Sequence, residues 1–220
     1  MTDWRSAAVG GRMHATLGLL EKLTLAPAEV AGADLVELRA EGLSDRAILD
    51  AAYVCVGFNI ITRIANALGF KVPPDEVFAR ASRYLTVFGY SILSGFWARG
   101  IYQQLVALLL VNKSAAGARD AFDPYEKKLT LLRKSVLSEP GTLAPDIRRA
   151  ICDGLELPEP LGAYVRKVAE HAHAVGDEDI AGLHRAGYTD DQIFEATVSA
   201  ALGAGLFRLG RILLTLRPTS

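Results

Sequence analysis

The sequence has little cysteine and no excess of charge of either sign. Of its 220 residues two are cysteines, and 24 basic residues stand against 25 acidic ones. A balanced charge produces no field that attracts nucleic acid or an anionic membrane, so we expect neither as a partner. The cysteines, Cys55 and Cys152, lie far apart in the sequence, and we expect no structural disulfide between them.

Long apolar runs are also scarce. The most apolar stretch, residues 105–111, is far shorter than the ~20 apolar residues that a membrane-spanning helix needs. Near the start of the sequence, Asp3 is acidic and no apolar run follows it, which is untypical of a secretory signal. We therefore expect a cytoplasmic protein that does not span a membrane.

Recognisable chemical motifs are missing as well. The sequence contains no Gly-rich phosphate loop, no nucleophile elbow, no zinc signature and no Cys-x-x-Cys. His171 and His173 are two residues apart, and on a helix this spacing points side chains about 200° apart. His14 and His184 have no His or Cys neighbour at the spacing of metal ligands. We expect neither a metal nor a cofactor.

Helical periodicity is the main pattern that is present. Ala, Leu and Ile recur with a period near 3.6 residues, and Gly, Pro and capping residues separate the periodic segments. No run of β-branched residues alternates in the manner of a strand, so the pattern predicts an all-α fold. The predicted helices cover residues 13–24, 28–41, 45–69, 75–94, 100–112, 125–138, 144–153, 160–174, 177–186 and 190–216.

A small and polar segment divides the chain. Residues 112–120 combine Ala, Gly, Ser and Asn with charged side chains, a composition that is typical of linkers. We place a first helical half at 1–111, a linker at 112–124 and a second helical half at 125–220. We expect the two halves to pack together as one compact unit.

The two halves share a sequence pattern. Placing Asp34–Leu68 over Asp179–Leu213 gives an ungapped alignment at an offset of 145, the difference between 34 and 179. The identical pairs are Asp34/Asp179, Leu38/Leu183, Gly42/Gly187, Asp45/Asp190, Ile48/Ile193, Ala51/Ala196, Arg63/Arg208 and Leu68/Leu213. The fixed offset favours a duplication, whereas the alternative is two unrelated helical hairpins, because alanine-rich helices align easily.

Each copy contains the elements of a turn between two helices. Gly42 and Gly187 can adopt the left-handed conformation that ends a helix. Ser44 and Thr189 can begin the next helix by accepting a backbone N–H. Thr189 with Gln192 three positions later also fits a capping box.

Both copies resemble a known family. The segment Gly42–Ala52 reads GLSDRAILDAA, the segment Phe58–Gly69 reads FNIITRIANALG, and Ala186–Thr197 reads AGYTDDQIFEAT. Together they resemble the C-terminal helix region of alkylhydroperoxidase D-like proteins, the carboxymuconolactone decarboxylase superfamily. The similarity covers roughly residues 12–69 and 159–214. It implies the helical bundle of that family and a tendency to form homo-oligomers.

The family's redox motif has no counterpart here. In that family one helix carries Glu, then Cys-x-x-Cys, then His, and the two thiols perform the redox chemistry. This sequence has no Cys-x-x-Cys, so no catalytic residue of the family can be carried over. The resemblance therefore implies a non-peroxidatic protein.

One helix face is a candidate pocket wall. Cys55, Asn59 and Thr62 share a face by the i, i+4, i+7 rule, and Arg63 lies beside it. Because a polar stripe on an apolar helix is typical of a pocket wall, we predict that Asn59 and Arg63 bind a ligand.

Arg63 also has a structural interpretation. It recurs as Arg208 in the second copy. An arginine at the same place in both copies favours an ion pair with a carboxylate such as Asp50 or Glu195, or a pairing with the other half of the molecule.

Cys55 and Cys152 are the candidate nucleophiles. Cys152 follows Arg148 and Arg149, whose charge would favour a thiolate if the helix brought them close. In the alternative interpretation each cysteine is a small apolar residue that is buried for packing.

The sequence leaves three functions open. The preferred one is a non-peroxidatic alkylhydroperoxidase D-like protein that forms homo-oligomers and binds a small apolar ligand. The second is an enzyme, either a thiol peroxidase that uses Cys55 or Cys152 or a cofactor-free decarboxylase-type enzyme with a pocket between the halves. The third is a protein-interaction module that uses the linker and the aromatic segment 84–97.

Overall fold

A computed structural model of the chain describes residues 3–71, 74, 76 and 123–216. Within these residues the regular structure consists of α-helices and three short 3₁₀ helices, and no strand occurs. The all-α prediction is therefore confirmed. The α-helices are α1 (Gly11–Leu25), α2 (Gly32–Ala40), α3 (Asp45–Ala67), α4 (Asp123–Leu137), α5 (Pro145–Cys152), α6 (Leu161–His171), α7 (Asp177–Arg185) and α8 (Asp190–Leu216).

Within the described residues the predicted helices agree with the observed ones to within two residues, except at two ends. The predicted helix 28–41 is wrong at its start, where a 3₁₀ turn over Pro27–Glu29 leads into extended backbone at Val30 and Ala31. The predicted helix 160–174 is wrong at its end, where a 3₁₀ turn over Ala172–Ala174 follows α6. In both places the break lets the chain turn into the next helix.

Some predictions lie outside the described residues. They are the helices 75–94 and 100–112, the aromatic segment 84–97 and the linker 112–124, except that the last two linker residues begin α4. The division of the chain into two halves stays a prediction.

The starts of α2 and α7 are fixed by two aspartates in the same way. Asp34 Oδ2 accepts the backbone N–H of Ala31 at 2.8 Å, and its other carboxylate oxygen lies 2.8 Å from Lys22 Nζ. Asp179 likewise accepts the N–H of Gly176 at 2.8 Å and pairs with a lysine, Lys167, at 2.5 Å. Each carboxylate satisfies an unpaired donor of the first helical turn, where negative charge also complements the helix dipole.

The turns that precede α3 and α8 agree with the sequence prediction. Gly42 has φ of 79° and Gly187 has φ of 90°, the left-handed conformation that glycine adopts without strain. Ser44 Oγ accepts the N–H of Ala47 at 3.2 Å. Thr189 and Gln192 form the predicted capping box, since each side chain accepts the backbone N–H of the other residue.

Helices α3 and α8 form the centre of the fold and pack closely against each other. At Gly205 an added Cβ would lie 2.6 Å from Ile60 Cγ1, so a larger residue at this position would make the Ile60 side chain or the helices shift. Residues of α8 belong to two groups of buried apolar side chains, one around α1–α4 and the other around α5–α7. Burial of these apolar faces is the main force that holds the helices together.

The same two helices are long and apolar enough to cross a membrane by length and composition. Within the protein, 50% of the apolar window of α3 and 61% of that of α8 are buried. Core helices of soluble proteins have the same properties, so this is weak evidence for a membrane span. The expectation that the chain does not span a membrane stays a prediction.

The close packing of α8 predicts opposite effects for two glycine substitutions. At Gly203 an added Cβ would overlap the backbone carbonyl of Cys152, whereas at Gly210 it would meet nothing within 4 Å. Gly203→Ala should lower the free energy of unfolding by ~1–3 kcal/mol, because α5 must shift. Gly210→Ala should raise it by ~0.5–1 kcal/mol through helix propensity. Urea unfolding measures both, and changes of the same sign would contradict the close approach of α5 and α8.

Candidate functional site

A pocket of about 780 Å³ opens where α3, α5, α6 and α8 meet. Its wall includes Thr62, Arg63 and Asn66 from α3, and Phe207 and Arg208 from α8. The volume lies within the range of about 300–1,000 Å³ that small-molecule sites occupy. Two further pockets, of about 540 and 700 Å³, contain neither Asn59 nor Arg63.

Arg63 lies in the wall of this pocket, and its binding of a ligand stays a prediction. Its Nε donates to the carbonyl of Ala169 in α6 at 3.0 Å. One terminal nitrogen donates to the carbonyl of Asn59 at 3.1 Å and to Asn59 Oδ1 at 2.7 Å. The guanidinium group is thus oriented by oxygen acceptors that carry no formal charge.

Asn59 lies behind Arg63 and does not line the pocket. It is buried, and its Nδ2 donates to Thr24 Oγ1 at 3.1 Å and to the carbonyl of Cys55 at 3.0 Å. Its Oδ1 accepts the bond from Arg63. The structure therefore makes Asn59 a positioning residue for Arg63.

Arg208 is the second arginine of the pocket, and it is only 7% exposed. It donates to the carbonyl of Ala204 at 2.8 Å and to the carbonyl of Thr24 at 2.9 Å. Its buried Nε has no hydrogen-bond partner among the described residues. The signal that could have identified Arg208 as a site residue is its alignment with Arg63 in the sequence repeat.

The two arginines form a pair of positive charges without a contacting carboxylate in the described part of the chain. Burial and the charge of Arg63 lower the pKa of Arg208 to about 10. Burial also lowers the pKa of Arg63. Both side chains still carry a proton at neutral pH, so the pocket wall is cationic at this point.

The predicted ion pair between Arg63 and a carboxylate is wrong for the described residues. Asp50 accepts hydrogen bonds from Arg46 Nε at 2.8 Å and from the hydroxyl of Tyr125 at 2.6 Å. Glu195 instead accepts two backbone N–H groups at the turn before α5, each at 2.8 Å. Both carboxylates are therefore occupied away from the pocket, and Arg63 reaches the second half of the chain through the Ala169 carbonyl.

Cys55 is a buried thiol held by hydrogen bonds. Its Sγ lies 3.8 Å from the carbonyl of Leu20, to which it donates, and 3.5 Å from Thr24 Oγ1. Asn59 Nδ2 donates to the same sulfur at 3.4 Å. This environment matches the interpretation of Cys55 as a packed core residue.

Cys152 lines the pocket but is not activated. Burial and the charge of Asp153 raise the pKa of its thiol to about 11. The sequence predicted that the charges of Arg148 and Arg149 would favour a thiolate at Cys152. The two side chains are engaged elsewhere instead: Arg148 donates to the carbonyls of Val136 and Glu139, and Arg149 pairs with Asp146. Cys55 and Cys152 are both free, as the sequence predicted.

His171 and His173 differ from the sequence prediction. Their rings lie edge to face with centroids 6.2 Å apart, because His173 belongs to a 3₁₀ turn and not to α6. Across the described ranges no group of three or more His, Cys, Asp or Glu side chains could hold a metal ion. The expectation of a protein without a metal stays a prediction.

No protein-family model, curated protein or solved structure matches the chain. The family resemblance therefore rests on the residues of the sequence alone.

The thiol environments predict slow labelling of the folded protein. At about pH 8 a thiol with a pKa near 11 is ionised in about one molecule per thousand. We expect both cysteines to react slowly with a disulfide reagent at this pH, and much faster in urea. Cys152→Ser isolates Cys55 as a control. Fast labelling of Cys152 with a midpoint below pH 8, or fast labelling of buried Cys55 in the folded protein, would contradict this description.

Proposed function

We propose that this chain is a non-peroxidatic, alkylhydroperoxidase D-like protein that binds a small and largely apolar ligand in the pocket between α3 and α8. The observation that carries the proposal is the pocket itself, which is large enough for one small molecule and has Arg63 in its wall. Homo-oligomer formation and a cytoplasmic location belong to the same proposal and rest on the sequence.

We also propose that the two halves arose by duplication. Elements of the first half begin 145 residues before their counterparts, as for α2 and α7 and for α3 and α8. The pair Lys22 and Asp34 corresponds to Lys167 and Asp179 at this offset. These matching helix starts support a common origin, because unrelated hairpins would share the turn but not the lysine partner.

Contacts between the halves support the duplication further. Arg63 donates to the carbonyl of Ala169, and Arg208 donates to the carbonyl of Thr24. Each donor and each acceptor in this pair of contacts is 145 residues from its counterpart. Reciprocal contacts of this kind are expected when two copies pack about an approximate twofold axis.

The composition of the pocket wall favours a ligand with an apolar body. Ala200, Gly203 and Ala204 contribute small apolar groups to the pocket wall along α8, and Ile151 and Phe207 add larger ones. Phe207 is 53% exposed, so its ring is available to contact a ligand. Covering this apolar surface would be favourable through the hydrophobic effect.

The thiol-peroxidase alternative is less well supported. A one-cysteine peroxidase needs a reactive thiolate, and a thiol from solution then reduces the oxidised sulfur. Cys152 is the thiol in the pocket, and its pKa of about 11 keeps it protonated at neutral pH. Cys55 lies in the core behind Asn59.

The decarboxylase-type and interaction alternatives have less to support them. Among the described pocket residues the groups suited to acid–base chemistry include Glu170, His171 and His173, and all three are exposed. Exposed groups lack the desolvation that shifts catalytic pKa values. The residues named for a protein-interaction role, 84–97 and the linker, lie almost wholly outside the described part of the chain.

Two phenylalanines of α8 provide a matched test of the pocket. Phe207 lines it, whereas Phe194 is 40% exposed and lies elsewhere on the helix. We expect the neutral fluorescent probe N-phenylnaphthylamine to bind the wild type, and Phe207→Ala to weaken it by about threefold to tenfold, since a buried apolar contact is lost. Phe194→Ala should bind the probe like the wild type.

The stability of both variants is the control for this test. Both side chains are exposed, so each substitution should change the free energy of unfolding by no more than ~0.5 kcal/mol. Native mass spectrometry of freshly purified protein would add a direct search for a retained small molecule. No probe binding by the wild type, or equal losses in the two variants, would refute the assigned pocket.

A further inference from the structure

We propose that the ligand of this pocket carries a negatively charged oxygen group, such as a carboxylate, that binds between the guanidinium groups of Arg63 and Arg208. This inference rests on the ligand-binding function proposed above and names the chemical class of the ligand. It assigns a small amphipathic anion to the pocket: the charged group contacts the arginines, and the apolar body lies along α8.

The first step is the unused hydrogen-bonding capacity of Arg208. Two of its nitrogens donate to backbone carbonyls, and its Nε has no partner although the side chain is more than nine-tenths buried. Buried polar atoms are normally hydrogen-bonded, and each exception requires an explanation. The Nε is itself enclosed, so a ligand does not reach it, but each terminal nitrogen makes only one of these two bonds and keeps a second N–H that an anion in the pocket would accept.

The second step is the free capacity of Arg63. Its Nε and one terminal nitrogen donate to the carbonyls of Ala169 and Asn59 and to the Asn59 side chain. No hydrogen bond involves its other terminal nitrogen within the described residues. Arg63 therefore keeps donors for a ligand while its neighbours hold the guanidinium group in place, and a planar guanidinium is well suited to bind an oxyanion through two N–H groups.

The third step is the missing counter-charge. The partly buried lysines Lys22 and Lys167 have carboxylate partners, Asp34 and Asp179, whereas Arg63 and Arg208 contact none in the described part of the chain. Arg63 and Arg208 instead repel each other, and the charge of Arg63 contributes to the lowered pKa of Arg208. Buried charges are costly without a partner, and an anion between them would remove both the repulsion and the unpaired charge.

The other charges of the pocket determine how such a ligand would lie. Asp153 and Glu170 also line it, and both are exposed to solvent. No salt bridge joins either of them to Arg63 or Arg208. A negatively charged group would be repelled by these carboxylates and attracted by the arginines, which leaves the surface of Ala204 and Phe207 for the apolar body.

Two probes with one aromatic skeleton test the inference. Anilinonaphthalene sulfonate and N-phenylnaphthylamine differ by a sulfonate, so the ratio of their dissociation constants isolates the contribution of the negative charge. We expect the sulfonate to bind the wild type at least about tenfold more tightly, as charge-assisted hydrogen bonds predict. Octanoate should displace it at lower concentration than octanol does.

Arginine variants locate the effect. Arg63→Gln and Arg208→Gln should each move the ratio toward one, whereas Arg208→Lys, which keeps the charge, should retain part of the preference. Arg211→Gln is the matched control. Arg211 lies one turn further along α8, donates to the carbonyls of Ala28 and Val30, has an unpartnered Nε and does not line the pocket. It should leave the ratio unchanged.

The outcomes separate this inference from the proposed function. If neither probe binds the wild type, both the pocket function and the anion site are refuted. If both probes bind equally, or if Arg211→Gln changes the ratio as much as the pocket variants do, the pocket function stands and the anion site is refuted. Urea unfolding checks that each variant folds. If Arg208→Gln does not fold, Arg63→Gln is the deciding variant, because Arg63 is only half-buried.

Discussion

The close packing of α8 against α3 determines where the other described helices can lie. Gly205 lets the two helices approach until Ile60 fills the space that a side chain at this position would occupy. Because α8 contributes side chains to both apolar clusters, the contact also joins the two halves of the chain. The same approach places Arg63 and Arg208 in one wall of the pocket. The cationic pair is thus a consequence of how the central helices meet.

The hydrogen bonds of the two arginines show how backbone carbonyls can bind a buried positive charge without neutralising it. Carbonyl groups of Thr24 and Ala169, at or near the ends of α1 and α6, accept bonds from the guanidinium groups. Carbonyls near a helix C-terminus lack intrahelical partners and carry partial negative charge. They orient and partly stabilise the cations, yet they leave the full positive charge of the pair available to the pocket.

Local features of the fold could be predicted from the sequence because they depend on nearby residues. Gly42 and Gly187 end helices, and Ser44 and Thr189 start them, for reasons that involve only a few adjacent backbone groups. Helical periodicity placed Cys55, Asn59 and Thr62 on one face with Arg63 beside it, and Arg63 lines a pocket in the structure. The role of Asn59 did not, because its contacts with Thr24 and Arg63 depend on how α1 packs against α3.

The predictions that failed concern contacts between side chains and residues of other helices. The sequence places Arg148 and Arg149 beside Cys152, but the carbonyls that Arg148 binds lie in and just after α4, and only the packing of α5 on α4 brings them near. The expected partners of Arg63 were likewise engaged elsewhere, Asp50 by Arg46 and Tyr125. Spacing along a helix predicts which residues share a face, but it cannot predict which acceptor a long side chain will reach.

The thiol in the pocket provides a last argument about the arginine pair. Two cations close to a cysteine sulfur stabilise its thiolate and lower the pKa of the thiol. The charges that act on Cys152 are instead those of Asp153, which raises its pKa, and Arg133, which lowers it, and burial is the largest influence. Cys152 therefore shares the pocket with Arg63 and Arg208 without serving as their counter-charge. The thiol whose charge would raise the pKa of both arginines is Cys55, which lies in the core and donates to the Leu20 carbonyl. No described carboxylate contacts the pair, and this observation is the basis of the proposed anionic ligand.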